Sequence, residues 1–533
     1  MAQFAALLPI GGAASADITS ANAIAGRLTE MVPQHPRHAA EMLSQCVVEA
    51  RALKGHLRRQ LKLLDQIHHH AESVVTDLDK MLDESRLPLT ATSRIAAATA
   101  DRLLKQLGEA YMELALELNS KWLRAVYRSA LEQACFRAAQ LIHKRSLMAL
   151  RAYASGSSRR WAQFNSIYGI AREGGFHRKS FEGEETIERL VGKSGLLALA
   201  DPATLGAEEL GWLRFYVERH GNRVVVRSAP PEKRGAGLFV LTEKGRVPRR
   251  LGSSYELNPG ELVLDLRTVL KHLKRQLVGM RTGIPPNKLG LPLAAAKPEY
   301  MFLLQRCGEQ WSEPRARRHS RNSFRPRADL VPGFDSVRHF LTAAAFRRRA
   351  TDKSEGIGGG LSQSSEWQVV DQSPSGFGLR FVSGHAGAIA VGELVALRPR
   401  ESAAVSLCVT RRARSITNAD FELGVELLGD NAAPASINKP TTKGKSVQVP
   451  ALLLSKVLCL NKSPGLLAPI GDVTPGMSLM VPYKGAMVQL EAVEIVERLA
   501  SCDLIRLRAR RVGGNGETVD IDDELSDGKA NNG

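Results

Sequence analysis

From about His38 to Asp83 the apolar residues recur in steps of three and four: Leu43, Cys46, Val47, Ala50, Leu53, Leu57, Leu61 and Leu64. That is the period of one buried helix face. The segment Leu87 to Thr90 breaks it, and Thr90 to Ser93 offers caps for a new helix. The same period then runs from Ser93 to Ser155, enough for two helices end to end, and resumes from Arg159 to Glu173. An antiparallel helical bundle is therefore expected over residues 1–175. Beyond Gly174, Gly175 and Gly183 the periods mix. Arg223 to Arg227, Gly237 to Leu241 and Glu261 to Arg267 read as strands, while Leu210 to His220, Thr268 to Gly279 and Tyr300 to Trp311 read as helices. This predicts a mixed α/β middle domain over 183–310. From Glu366 the helical period stops. Strands are expected at 366–371, 376–382, 392–398, 404–411 and 421–428, with an extended piece from Arg325 to Val331 ahead of them, which together suit a small closed antiparallel barrel over 315–430. Asn431 to Lys445 reads as a linker. A second set of strands at 446–454, 464–468, 477–483, 486–497 and 502–510 predicts a second small β domain over 446–512, itself barrel-like, and Gly513 to Gly533 reads as a disordered tail. The fold class is multidomain α+β.

Composition adjusts this picture at a few points. A length of 533 residues fits three or four domains at roughly 150 residues each. The net charge of +18 points to an anionic partner: nucleic acid, a membrane surface or a phosphorylated small molecule. Aromatic residues make up only 5%, too few for widespread base-stacking platforms. The six cysteines form no CxxC pair, and several lie in apolar runs, as reduced core thiols of a cytoplasmic protein do. The N-terminus has no basic residue before its short apolar run, which speaks against a secretory leader, and no window offers the ~20 apolar residues of a membrane span. The triplet His68, His69 and His70 sits on a helix, where neighbours point about 100° apart, so it reads as a solvated face and not as a metal site.

Two stretches carry chemistry. The first is an arginine cluster, Arg315, Arg317, Arg318, Arg321, Arg325 and Arg327, six cations within thirteen residues. Packed together they repel, and they are at ease only beside an anion. Their forked donors engage phosphate oxygens in pairs and can read the O6 and N7 edge of guanine. The second is EWQVVDQSPSGFGLRF, from Glu366 to Phe381, an apolar strand that turns through Ser373-Pro374-Ser375-Gly376 into another. Asp371 is acceptor-only and can take the N1 and N2 donors of a guanine; Ser373 can donate or accept; Gly376 allows a backbone barred to other residues. Together the two stretches describe a receptor for a guanine nucleotide with exposed phosphates.

On these residues the sequence resembles the PilZ domain family, receptors for cyclic di-GMP. The family carries an RxxxR motif at the mouth of a six-stranded barrel and a D/N-x-S-x-x-G motif on an adjoining strand. Asp371, Ser373 and Gly376 match the second in full. Arg317/Arg321 and Arg321/Arg325 both match the first, and the doubled Arg317-Arg318 favours the former. GFGLRF, VGELVAL and FELGVELL are similar to PilZ strands. The resemblance implies that the arginines clamp phosphates and guanine while Asp371 and Ser373 hold a base edge. It also implies a regulatory role in signal transduction, as in a group of bacterial cytoplasmic proteins with a helical N-terminus and a C-terminal PilZ domain. The sequence departs from the family in spacing: fifty residues separate Arg321 from Asp371, more than is usual, and the stretch from Phe346 reads as a flexible insertion. Its Gly356 to Gly360 run lacks the Lys-Ser/Thr of a phosphate loop.

The expectation is thus a cyclic di-GMP effector with no cofactor beyond that ligand and a protein partner met through its helical or middle domain. Two other functions stay open: a nucleic-acid-binding regulator using the basic cluster, and a chaperone-like adaptor using the long helices. No nucleophile–base pair, metal cluster or dinucleotide fingerprint points to an enzyme.

Overall fold

The computed structural model describes residues 21–520 apart from 31–34, 54–55, 83–86, 122–123, 155–157, 182, 184, 243–247, 314–325, 350–363, 385–388, 401–403, 416–419, 431, 441–445, 455–456, 458, 460–462, 484–485 and 513–517. Of the expected disordered tail, 513–533, residues 518–520 form a strand, and the rest of it and the glycine run at 356–360 lie outside the described residues. The chain forms two compact units, one of residues 1–84, 89–202 and 207–316, the other of 85–88, 203–206 and 317–533.

In the first unit the helical stretch expected from His38 to Asp83 is two helices, α1 (Pro36–Ala52) and α2 (Leu57–Lys80), parted where the sequence holds Gly55, a poor helix former. Pro36 opens α1 at a position where its missing N–H costs nothing. The next long run is also two helices, α3 (Ala91–Ser120) and α4 (Arg124–Arg151), followed by α5 (Ser158–Glu173). Thr90 caps α3 by accepting the Ser93 N–H at 3.2 Å. Leu103, Leu104, Leu107, Tyr111, Leu114 and Leu118 of α3 form its buried stripe. His68 is in the core with its ring against Tyr111, which corrects the expected solvated face; His69 beside it is exposed.

Helix α6 (Ile187–Leu199), capped by Thr186, is buried nearly all round. It lies between α4 and a four-stranded sheet. That sheet has the order β1 (Val225–Arg227), β4 (Leu262–Asp265), β2 (Leu238–Leu241), β3 (Arg249–Arg250). Gly195 is what lets helix and sheet close: a Cβ there would stand 2.3 Å from Leu264 Cδ1. Helix α7 (Ala207–His220) precedes the sheet, and α8 (Arg267–Arg281) and α9 (Pro298–Ser312) follow it. The bundle and the mixed α/β segment therefore share one compact body through α6.

The second unit begins with β5 (Arg327–Pro332) and α10 (Phe334–Arg349). Helix α10 occupies part of the long spacing that the sequence left as an insertion, burying Phe334, Val337 and Leu341. Then come β6 (Ser365–Ser373), β7 (Gly376–Gly384), β8 (Leu394–Pro399), β9 (Ser406–Ser415) and β10 (Phe421–Asp430). With β5 they close a six-stranded barrel in the order β10-β7-β6-β5-β8-β9. Trp367 fills its interior, wholly buried, with Phe381 and Phe421 edge-on to its ring.

The expected linker contains a strand, β11 (Ala433–Pro440), paired in full with β12 (Ser446–Leu454). The remaining strands are β13 (Gly465–Pro469), β14 (Ser478–Tyr483), β15 (Ala486–Arg498), β16 (Cys502–Val512) and β17 (Thr518–Asp520). They form a seven-stranded sheet in the order β11-β12-β13-β16-β15-β14, with β17 on β16; its end strands β11 and β14 lie against each other, so the sheet curls round barrel-like, as the strand lengths suggested. Ile437, Val449, Leu466, Leu479, Leu490 and Ile505 fill its interior, and its other face is buried as well. Leu394, Leu407 and Val409 on the barrel, the α10 residues, and Leu452, Leu467 and Leu504 on the sheet belong to one apolar core. Arg411, the extra residue of a β-bulge in β9, pins this junction by pairing with Glu426 at 2.6 Å and Glu497 at 2.7 Å.

Candidate functional site

The Asp-x-Ser-x-x-Gly motif is the β6–β7 hairpin. Ser373 pairs with Gly376 across the two-residue turn Pro374-Ser375. The Ser373 hydroxyl donates to the Gly376 carbonyl at 3.3 Å and lies 3.3 Å from the Ser375 hydroxyl, so it braces the turn. The Ser375 carbonyl accepts the Leu427 N–H of β10 at 2.9 Å. Gly376 is fixed by close approach: a Cβ there would lie 2.0 Å from the Val425 carbonyl oxygen. The glycine of the motif is thus the contact by which the turn seats on β10.

Asp371 owes its position to a β-bulge. Ser365, Trp367 and Val369 point into the barrel, and strict alternation would send Asp371 in after them. The register shifts between Val369 and Asp371, so Val369 pairs with Leu379 while Asp371 pairs with Gly378, and Val370 is the extra residue. The bulge turns Asp371 to the outer face. Its carboxylate lies over Gly378, where a Cβ would meet Asp371 Oδ1 at 2.5 Å.

The ladder continues this row across the wall: Asp371 of β6, Gly378 of β7, Gly424 of β10, Arg412 of β9. Four strands at ~4.8 Å spacing put about 14 Å between the two charged ends. The floor between them is two glycines without side chains, Gly378 buried beneath the Asp371 carboxylate and Gly424 half-buried, a shallow trough that ends at the exposed guanidinium of Arg412. The next outward row holds Arg327, Gln368, Arg380, Glu422 and Arg414. There Arg380 pairs with Glu422 at 2.9 Å, and Arg327 with Glu366 at 3.2 Å.

Of the residues singled out by sequence, Asp371, Ser373 and Gly376 stand together on this hairpin. Arg317, Arg318, Arg321 and Arg325 lie outside the described residues. The described chain resumes at Pro326, whose carbonyl accepts the Val369 N–H at 3.0 Å, two residues from Asp371. Arg412, Arg380, Gly378 and Gly424 were missed. The signal of Gly378, Arg380 and Gly424 was present in GFGLRF and FELGVELL, whose outward positions carry glycine and charge, but Arg412 lies in neither, and the pairing register that aligns them is not visible in any one segment.

One other constellation has the look of a hydrolytic triad. In the first unit Ser194 Oγ lies 2.9 Å from His143 Nδ1, and His143 Nε2 lies 2.8 Å from Glu218. Ser194 is only 1% exposed, and Glu218 also accepts from Lys193 at 2.8 Å. A nucleophile without access to substrate does not catalyse, and this is a buried polar network.

Among known protein families, two segments of the chain find matches. Residues 22–231 match the family described as cyclic-di-GMP receptor FimW, N-terminal domain. Residues 345–434 match cyclic-di-GMP receptor FimW, middle PilZ domain. Together the matches cover more than half of the chain. The first runs from α1 through α7 to the start of the sheet, and the second takes in β6 to β10 but starts after the arginine cluster. No curated protein matched the chain.

Proposed function

We propose, from the premise that this chain belongs to the FimW family of PilZ-containing cyclic-di-GMP receptors, that the nucleotide lies on the outer face of the barrel along the trough from Asp371 to Arg412. The observation that carries this reading is the bulge at Val370, which turns an acidic side chain outward over a glycine floor. Asp371 takes the N1–H and N2–H of one guanine as a charge-assisted pair. Gly424, bare and half-buried, lets a flat base approach the sheet beside the Asp371 carboxylate, which itself covers Gly378. Arg412 and the segment Arg317 to Arg325, which enters the barrel at Pro326, supply guanidinium groups for the phosphates and the O6/N7 edge. Ser373 supports the turn and keeps Asp371 in place.

The protein acts as a regulatory binding protein, as its receptor family does, and its site holds donors and acceptors for a ligand. Ligand binding shifts the state of the barrel, and a protein partner reads that shift. The cytoplasm is the compartment that suits its six unpaired cysteines, five of them buried. No helix among the described residues is long and apolar enough to cross a membrane.

Calorimetric titration of the full chain with cyclic di-GMP tests the site. Saturable binding at micromolar ligand is expected. Asp371→Ala should weaken it by about tenfold to a hundredfold, the range of hydrogen bonds to a charged group, with little change in melting temperature. Arg321→Ala should abolish it. Absence of binding by the unaltered protein, or full affinity in Asp371→Ala, would overturn the assignment. DNA binding that falls steeply with salt and is not competed by the nucleotide would favour a nucleic-acid regulator instead.

A further inference from the structure

Between Asp265 and Glu299 the chain contains no acidic residue. This stretch covers α8 and the turn after it, and it lies outside both segments that match the family. Helix α8 buries Val269, Leu273 and Gln276 against the first unit. Its opposite face presents Lys271, Lys274, Arg275, Val278 and Arg281, all exposed. At 100° per residue these five fall within about a third of the helix circumference. Ile284, exposed just past the helix end, packs over Gly279, and Lys288 extends the patch. None of these five cations has an acidic partner among the described residues, whereas Arg267 at the start of the helix is tied to Asp265 and Lys297 beyond it to Glu208. The field is felt beneath the surface: burial, with Arg223 and Arg275, holds the His272 imidazole below its ordinary range.

Unpaired cations on one face of a helix call for an anionic surface. The apolar positions decide which. Val278 sits in the middle of the cations and is 51% exposed, and Ile284 is 42% exposed. A nucleic-acid backbone gives such aliphatic side chains nothing to enter, and the face has no Phe, Tyr or Trp on which a base could stack. The headgroup layer of a bilayer accepts both kinds of group, cations at the phosphates and aliphatic side chains below them.

We infer that the α8 face, with Lys271, Lys274, Arg275 and Arg281 around Val278 and Ile284, is a peripheral docking surface for an anionic lipid membrane. It is separate from the nucleotide trough and does not depend on it.

The test is sedimentation of the full chain with vesicles of phosphatidylcholine containing 30% phosphatidylglycerol, against pure phosphatidylcholine. Binding is expected only to the anionic vesicles, falling as salt rises. The variant K271E/K274E/R275E/R281E should lose at least a hundredfold in partitioning while keeping its helical circular dichroism and its nucleotide affinity. Val278→Ser should lose a few-fold and keep the salt dependence. Failure of the unaltered protein to bind anionic vesicles at low salt, or equal binding by the fourfold variant, would overturn the inference. Binding of duplex DNA that the same variant abolishes, with no vesicle binding, would assign the face to nucleic acid and overturn it as well.

Discussion

Gly376→Ala is expected to disrupt the barrel and to eliminate nucleotide binding together. The added Cβ would stand 2.0 Å from the Val425 carbonyl oxygen and 3.0 Å from the Glu426 Cα. Both are backbone atoms of a paired strand, so no side chain can rotate away. β7 must part from β10 at its first residue, with loss of the Gly376–Glu426 pairing and of the Leu427 N–H bond to Ser375. Overpacking of this kind costs about 3 kcal/mol or more. Gly471→Ala is the matched control. It has a positive φ of 78° but open space around it, so it should cost only about 1 kcal/mol. Thermal unfolding of the full chain, read beside nucleotide titration, separates the two. A Gly376→Ala protein with an unchanged melting temperature would show that the turn does not depend on the contact with Val425.

The motif itself was legible because each of its residues has a local job. The turn needs Pro-Ser between its paired ends, close approach needs glycine, and the acceptor needs a carboxylate. Most strands of both β regions were legible for a similar reason, since their period of two is written in each segment, but β11 and β17 were not. What the sequence hid lies in relations between segments. Asp371 faces outward only because Val370 bulges, and a bulge leaves no mark in a run such as Val369-Val370-Asp371. Arg412 joins the row only through a ladder register that spans four strands. The barrel-like form of the second sheet was legible from alternation, but alternation does not show what its other face is buried against; those partners, Leu407 and Val409, sit on the first barrel. Likewise α6 went unread, because a helix buried on nearly every side shows no one-faced stripe, and that all-round burial is the sign that two layers close over it.

Lys193→Met is expected to destabilise the first unit, and to do so with a distinctive pH dependence. Lys193 is 7% exposed and donates to both Glu185 and Glu218, while Glu218 also faces His143. Burial alone would raise the Glu218 carboxyl, but the bonds and charge of His143 and Lys193 outweigh it and hold it down to about 2. Burial would likewise lower the Lys193 ammonium, and the two carboxylates outweigh that, holding it above its ordinary value of 10.5. Methionine fills the space of the lysine stem but leaves two carboxylates without their cation. Breaking a buried pair in this way costs several kcal/mol; Glu218 keeps 38% of its side-chain surface, so about 2–3 kcal/mol near neutrality is the expected loss. The carboxylate contribution is complete above the ordinary glutamate value of 4.5 and is lost as pH falls toward about 2, because the unfolded chain takes up the proton first. The lysine contribution is complete below 10.5 and is lost as pH rises through its raised native value. In the Met variant the Glu218 carboxyl rises, so the variant loses less on acidification. The gap between the two proteins should be widest from about pH 5 to 10 and should narrow below pH 4, as read by urea unfolding followed through helical circular dichroism. A gap that stays constant down to pH 3 would mean that the cost of the substitution lies in packing, and that the Lys193–Glu218 charges contribute nothing to holding α6 beneath α4.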